Sequence, residues 1–173
     1  MTMIYRLLLA TALVLLLITS GSAGPDKVAF PADYKTQHLL YTTVDRHDQK
    51  TVREFYASRE TVQRAKAGQP LPSGTVLTME IHKAKLDDKG EPVRDAKGYL
   101  VKDGLTAVFV MEKRTGWGTE YSADLRNGEW EYARFTSEGK PPAQVDTIPC
   151  FQCHKPKSGQ DFVFTLPQLT TAP

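Results

Sequence analysis

The chain has 173 residues, is 40% hydrophobic and 24% charged, and carries a formal net charge of +2. This ordinary globular composition excludes a collagen-like, coiled-coil or wholly disordered chain. Near-balanced charge gives a nucleic-acid role no electrostatic support, and two cysteines are too few for a disulfide-stapled scaffold.

In chain order, the first feature is an address. Arg6 supplies one basic charge, Leu7–Ile18 is apolar, and the small residues Ser20, Gly21, Ser22, Ala23 and Gly24 follow. This is the layout of a secretory signal peptide, with cleavage after Ala23. The apolar run falls short of the ~20 residues that a membrane span needs. The expectation is a signal peptide over 1–23 and a single domain over 24–173, with no stable membrane span after processing.

Within that domain no internal repeat or low-complexity block is visible. Pro31–Lys35 reads as a helical turn. His38–Val44 and Thr51–Ala57 are rich in aromatic and β-branched residues and read as strands. Ser58–Ala67 reads as a short helix, with Ser58 as N-cap and Gly68 and Pro70 as the stop. Pro72–Gly74 is a turn, and Thr75–Ala84 is the best single strand. The polar stretch Lys85–Gly104 reads as a hairpin or loop, with a short strand over Tyr99–Val101. Leu105–Lys113 is another strand, and Gly116-Trp117-Gly118 is a tight aromatic corner. Asn127-Gly128 is a hairpin signal, and Trp130–Phe135 alternates, with Trp130, Tyr132 and Arg134 on one side. Lys140-Pro141-Pro142 breaks the chain, and Asp161–Leu166 reads as a last strand. The expected fold is mainly β (α+β): an antiparallel sheet with one or two helices on it.

The chemistry lies in Cys150-Phe151-Gln152-Cys153-His154, a C-x-x-C-H. This is the attachment signature of c-type haem. Two thiols three positions apart can add to the two vinyl groups on one porphyrin edge. The adjacent imidazole then falls under the iron. Competing readings are a disulfide with His154 incidental, a zinc site and chance. A redox C-x-x-C follows an early strand, whereas this motif sits near the end after Pro149. Structural zinc wants four ligands, and there is no second C-x-x-C. Haem c is attached after export in bacteria, which points to the periplasm. The late position departs from ordinary electron-transfer cytochromes c, and the β-rich pattern departs from four-helix cytochromes c′.

From about Thr51 to Leu166 the chain resembles the cytochrome P-460 family. The pieces are Val52-Arg53, Leu71-Pro72-Ser73-Gly74-Thr75-Val76, Met79-Glu80, Val110-Met111-Glu112-Lys113, Gly116-Trp117-Gly118, Gly128-Glu129-Trp130-Glu131-Tyr132, the C-x-x-C-H, and Asp161-Phe162-Val163-Phe164-Thr165. The resemblance implies a mostly β fold and one covalent haem c whose iron is held by His154. It also implies an often vacant distal side and commonly a homodimer. Relatives divide between hydroxylamine oxidation, with an extra Lys-to-porphyrin cross-link, and the β-sheet cytochromes c′, which lack it and bind gases such as nitric oxide. The match puts Met79 at the cross-linking position, and Met has no amine. Lys83 and Lys85 share its strand face by period two and read as solvated strand-end charges.

Arg53 matches the family's distal arginine and could donate hydrogen bonds to an iron-bound ligand; its rival reading is an ordinary surface arginine beside Glu54. Phe109 falls in the strand that supplies distal residues, as a pocket cap or as core. Glu112 is a candidate acid/base group or a strand-end charge. Met79, Met111, His38, His47 and His82 are the remaining candidates for the sixth iron position. The first functional reading is therefore a periplasmic mono-haem cytochrome with an open distal site for nitric oxide or hydroxylamine. If it is an enzyme, it is a hydroxylamine-type oxidoreductase that passes electrons to a redox partner protein. The alternative is a six-coordinate electron carrier in which a methionine ligand raises the potential.

Overall fold

The computed structural model describes residues 27–144 and 146–173. The segment read as a signal peptide lies outside the described residues. The elements are α1 (Tyr34–Gln37), β1 (His38–Arg46), β2 (Thr51–Ser58), α2 (Arg59–Lys66), β3 (Val76–Ala84), β4 (Lys102–Lys113), β5 (Trp130–Thr136), α3 (Ile148–His154) and α4 (Leu166–Thr170). Short 3₁₀ segments cover His47–Gln49 and Lys155–Gln160.

The five strands form one antiparallel sheet in the order β1-β2-β3-β4-β5, so each strand pairs with its chain neighbour. Val, Ile, Thr, Phe and Tyr dominate these segments, and such side chains suit a pleated surface. The helix after β2 forms where its caps demand it. Ser58 Oγ accepts from the Thr61 N–H at 3.1 Å, satisfying one free donor of the first turn. At the other end Gly68 takes φ +66°. Its N–H reaches Ala65 O, and that of Gln69 reaches Arg64 O, both at 3.0 Å, which is a Schellman stop.

Both sheet faces are covered. On the first, Ala57, Leu77, Met111, Trp130 and Tyr132 pack with Val62 and Ala65 of α2, Phe151 of α3, Val163, and Leu169 of α4. On the second, Val108, Val110, Ala133 and Phe135 pack with Val28, and Phe30 lies against them. The expected alternation in β5 is thus present, with Trp130 and Tyr132 facing one core and Ala133 and Phe135 the other.

Three expectations need correction. The antiparallel sheet with few short helices is as expected; among the described residues the C-terminal segment adds α3 and α4 to α1 and α2. Asp161–Leu166 is not a strand: Asp161 and Phe162 take φ +50° and +60°, which no extended strand tolerates, and Leu166 already begins α4. Asn127-Gly128 does not close a two-residue hairpin. β4 ends at Lys113 and β5 starts at Trp130, so this pair is a turn at the end of a long connection. Finally, Lys85–Gly104 holds a short repeat. Asp87 Oδ1 accepts from the N–H groups of Lys89 and Glu91, and Asp95 Oδ1 from those of Lys97 and Tyr99. Gly90 and Gly98 close the two turns with left-handed φ. Asx-turn chemistry makes the two halves alike, although Asp87, Lys89, Gly90 and Val93, matched by Asp95, Lys97, Gly98 and Val101, are all that the sequences share.

The second face carries a pH-dependent element. Glu131 is 1% exposed. Its Oε2 accepts from the Tyr121 hydroxyl at 3.1 Å, and Lys27 Nζ stands 3.9 Å from Oε1. Burial pushes its carboxyl up to about 7 against an ordinary 4.5; Tyr121 and Lys27 oppose this and Glu120 adds to it. Between pH 4.5 and 7 the folded chain therefore holds a proton that the unfolded chain has lost. Stability falls as pH rises through that window, by on the order of 3 kcal/mol for this group. Glu131→Gln is expected to flatten that loss, read as the gap between urea unfolding free energies at pH 5 and pH 8. An equal gap in wild type and variant would assign the ionisation elsewhere.

Candidate functional site

A row of side chains crosses the first face of the sheet. Phe55 of β2 pairs with Met79 of β3, Met79 with Phe109 of β4, and Phe109 with Arg134 of β5. Strand alternation puts Arg53 and Ile81 on the same face, opposite one another. Unlike the core around them, Arg53, Phe55, Met79, Ile81 and Phe109 are only half-buried, and Arg134 is exposed with its guanidinium 5.8 Å from the Phe109 ring. A cleft of about 470 Å³ opens here, lined by Phe109, Arg134, Pro142, Gln144, Thr147 and Cys150 among others. Its size falls within the range of cofactor sites.

Helix α3 brings the C-x-x-C-H to this cleft. Phe151, with no exposed surface, anchors it, its ring lying 4.4 Å from Tyr121 and 4.8 Å from Tyr132. Asn127, also fully buried, donates from Nδ2 to Phe151 O at 2.9 Å and to the Tyr132 hydroxyl at 3.0 Å. The Asn127-Gly128 turn thereby ties the helix to β5. Helical spacing sets Cys150 and Cys153 on one side of a single turn. Cys150 is half-buried, Cys153 is exposed, and the two are not bridged. Burial foremost, and the neighbouring Cys153 next, raise the Cys150 thiol pKa.

His154 follows directly. Its ring lies between Tyr132, at 4.8 Å, and Phe164, at 5.0 Å. Nδ1 sits 2.7 Å from Phe162 O. A carbonyl only accepts, so Nδ1 carries the proton and the Nε2 lone pair is free for a metal. Burial keeps the imidazole pKa below its ordinary value, with the Phe162 bond opposing. The left-handed Asp161 and Phe162 aim that carbonyl. For an aromatic residue this conformation is strained, and neighbours hold it in place. The Asp161 carboxylate accepts from Lys113 Nζ at 2.8 and 3.1 Å and from Trp130 Nε1 at 3.3 Å.

Arg53 donates from Nη2 to Gln49 Oε1 at 2.8 Å, while its buried Nε has no partner. Burial lowers its pKa first and Arg46 next, with the charges of Asp48 and Cys153 opposing. Arg53 thus lies within electrostatic range of Cys153. The structure brings Cys150, Cys153, His154, Phe109, Met79 and Arg53 to one face. Glu112 is not among them. It lies on the opposite face, across from Val76 and Glu131, and its Oε1 accepts from Arg114 at 2.6 Å. Met111 is core, and His82 faces the second side beside Glu80. His47 is exposed and His38 half-buried. Lys83 stands opposite Thr51 at the exposed end of β3, ~13 Å along the strand from Met79, and Lys85 lies beyond it.

Sequence reasoning missed Phe55, Asn127, Phe162 and Phe164. Period-two spacing from Arg53 gives Phe55. The other three depend on where the C-terminal turn folds back, and no local pattern announces that.

The family model described as Cytochrome P-460 matches residues 31–165, well over half of the chain. No curated protein matches it.

Proposed function

As the chain belongs to the cytochrome P-460 family, whose members are haem cytochromes, we propose that it is a mono-haem c-type cytochrome with an open distal position for nitric oxide or hydroxylamine. The observation that carries this is His154: its Nδ1 is tied to Phe162 O, so Nε2 is left to coordinate, close to two unbridged thiols, of which Cys150 lines a cleft of mixed polar and apolar character. The residues fit the group. The thiols would attach the group, the His154 imidazole would donate to its metal, and the half-buried row would supply an apolar bed. The unpartnered Arg53 Nε–H marks a donor that the chain itself leaves unused. When bound, haem iron supplies a ligand position and one-electron redox chemistry.

The chain's own contributions are these. Cys150 and Cys153 would hold the cofactor, and His154 would donate to the metal. The Phe162 carbonyl fixes the ring and raises its donor strength. Phe55 and Phe109 exclude water. Arg53 donates to an oxygen or nitrogen atom of the bound ligand. Met79 offers no amine, and Lys83 and Lys85 stand at and beyond the exposed strand end, which supports the reading without a lysine cross-link. Oxidation of hydroxylamine would require an external electron-accepting protein. The domain acts in the periplasm, exported by the 1–23 segment, as a homodimer. Among the described residues no helix is long and apolar enough to cross a membrane.

One observation favours the second reading, a six-coordinate electron carrier: the Met79 thioether sits mid-row between Phe55 and Phe109. Arg53→Ala separates roles on the distal side. A lost hydrogen bond from a charged donor is worth ~1.5–3 kcal/mol. Stopped-flow release of nitric oxide from the variant is therefore expected to be about 10- to 100-fold faster. Unchanged kinetics would make Arg53 a surface cation.

A further inference from the structure

Glu54, Glu80 and His82 cluster on the sheet face away from α3, at 6%, 1% and 7% exposure. Glu80 Oε2 lies 2.9 Å and Glu54 Oε2 3.5 Å from His82 Nε2. The Tyr56 hydroxyl lies 3.0 Å from Glu54 Oε2 and 3.2 Å from Glu80 Oε2. One of these separations already reaches the ~3.3–3.5 Å edge of a tetrahedron whose bonds are about 2.0–2.1 Å long, the zinc–nitrogen and zinc–oxygen range; the other three are hydrogen-bond contacts that a bound cation would widen by a few tenths of an ångström.

The outward oxygens are separately engaged. Glu80 Oε1 accepts from Lys35 Nζ at 2.7 Å and from the Tyr34 hydroxyl, and Glu54 Oε1 accepts from Lys102 Nζ at 2.6 Å. Both carboxylates are thus oriented from outside with their Oε2 atoms turned inward, as outer partners orient metal ligands. Lys35 and Lys102 are 56% and 41% exposed, so solvent screens their repulsion with an added cation. On the same face Thr78, two residues before Glu80 and paired with Tyr56, has a buried Oγ1 with no partner.

We propose that Glu54 Oε2, Glu80 Oε2 and His82 Nε2 form a binding site for one divalent first-row cation of the zinc class, with Tyr56 at the fourth corner. Mixed nitrogen and oxygen donors suit that class. Binding requires the imidazole to carry its proton on Nδ1. The site uses no residue of the haem face and does not rest on the haem reading.

The test uses the haem-loaded full chain, stripped with a chelator, dialysed against zinc ions and assayed for bound zinc by elemental analysis. One zinc per chain is expected, with a zinc-dependent rise in melting temperature. His82→Gln keeps a hydrogen-bond donor for the two carboxylates, so the fold survives. It is expected to weaken zinc binding at least tenfold and to abolish the melting shift, with the haem absorption spectrum unchanged. No zinc on the wild type, or undiminished binding by His82→Gln, would overturn the proposal.

Discussion

Replacing Cys150 and Cys153 together with serine is expected to leave no haem on the chain after denaturation, whereas the wild type is expected to retain it. The expected effect is all-or-none because only thioether bonds survive unfolding. Hydroxyls do not add to vinyl groups as thiols do, and a coordinate bond from His154 would not outlast unfolding. Each single replacement leaves one bond, and the staining of a denaturing gel is expected to weaken. The two positions are not equivalent in the fold: Cys150 is half-buried against the core and Cys153 is exposed. Cys150→Ser therefore also places a hydroxyl among apolar neighbours and is the more disruptive single change. Full haem retention by the double variant would refute the assigned attachment.

Phe151→Ala is the largest expected loss of stability. The ring is fully buried beneath the motif helix and packs on both Tyr121 and Tyr132. Truncating such an aromatic costs ~3–5 kcal/mol, as lost transfer energy plus an unfilled cavity. The neighbouring site suffers too, since the ring positions the α3 main chain, whose Phe151 O accepts from Asn127. Phe164→Ala is the comparison. That ring is 44% exposed and touches His154 from its edge, so its removal is expected to cost about 1 kcal/mol or less. Urea unfolding of the two variants measures both. Similar losses would mean that α3 is not anchored through Phe151.

The sheet was legible in the sequence because its strands obey local rules. Val, Ile, Thr and aromatic residues alternate, Ser58 caps α2, and Gly74 and Gly68 fall where φ must be positive. The C-x-x-C-H was legible because its spacing is chemistry. What surrounds it was not. Asp161–Leu166 has the composition of a strand, yet the Lys113 and Trp130 contacts of Asp161 hold it and Phe162 in left-handed turns. Asn127-Gly128 carries a hairpin signature, but buried bonds to Tyr132 and Phe151 use that turn to dock a helix. Glu112 is one residue from the haem-face Met111, and strand alternation sends it to the other side, where Arg114 takes it. In each case tertiary contacts outweigh local preference.

The proposed function requires an iron held by His154 with a coordination position left open. The absorption spectrum of the reduced protein, matured with its haem and recorded before and after carbon monoxide, tests this directly. A five-coordinate spectrum that shifts on carbon monoxide is expected. A six-coordinate spectrum indifferent to the gas would contradict an open site and move the function to electron transfer, with Met79 as the first ligand to test.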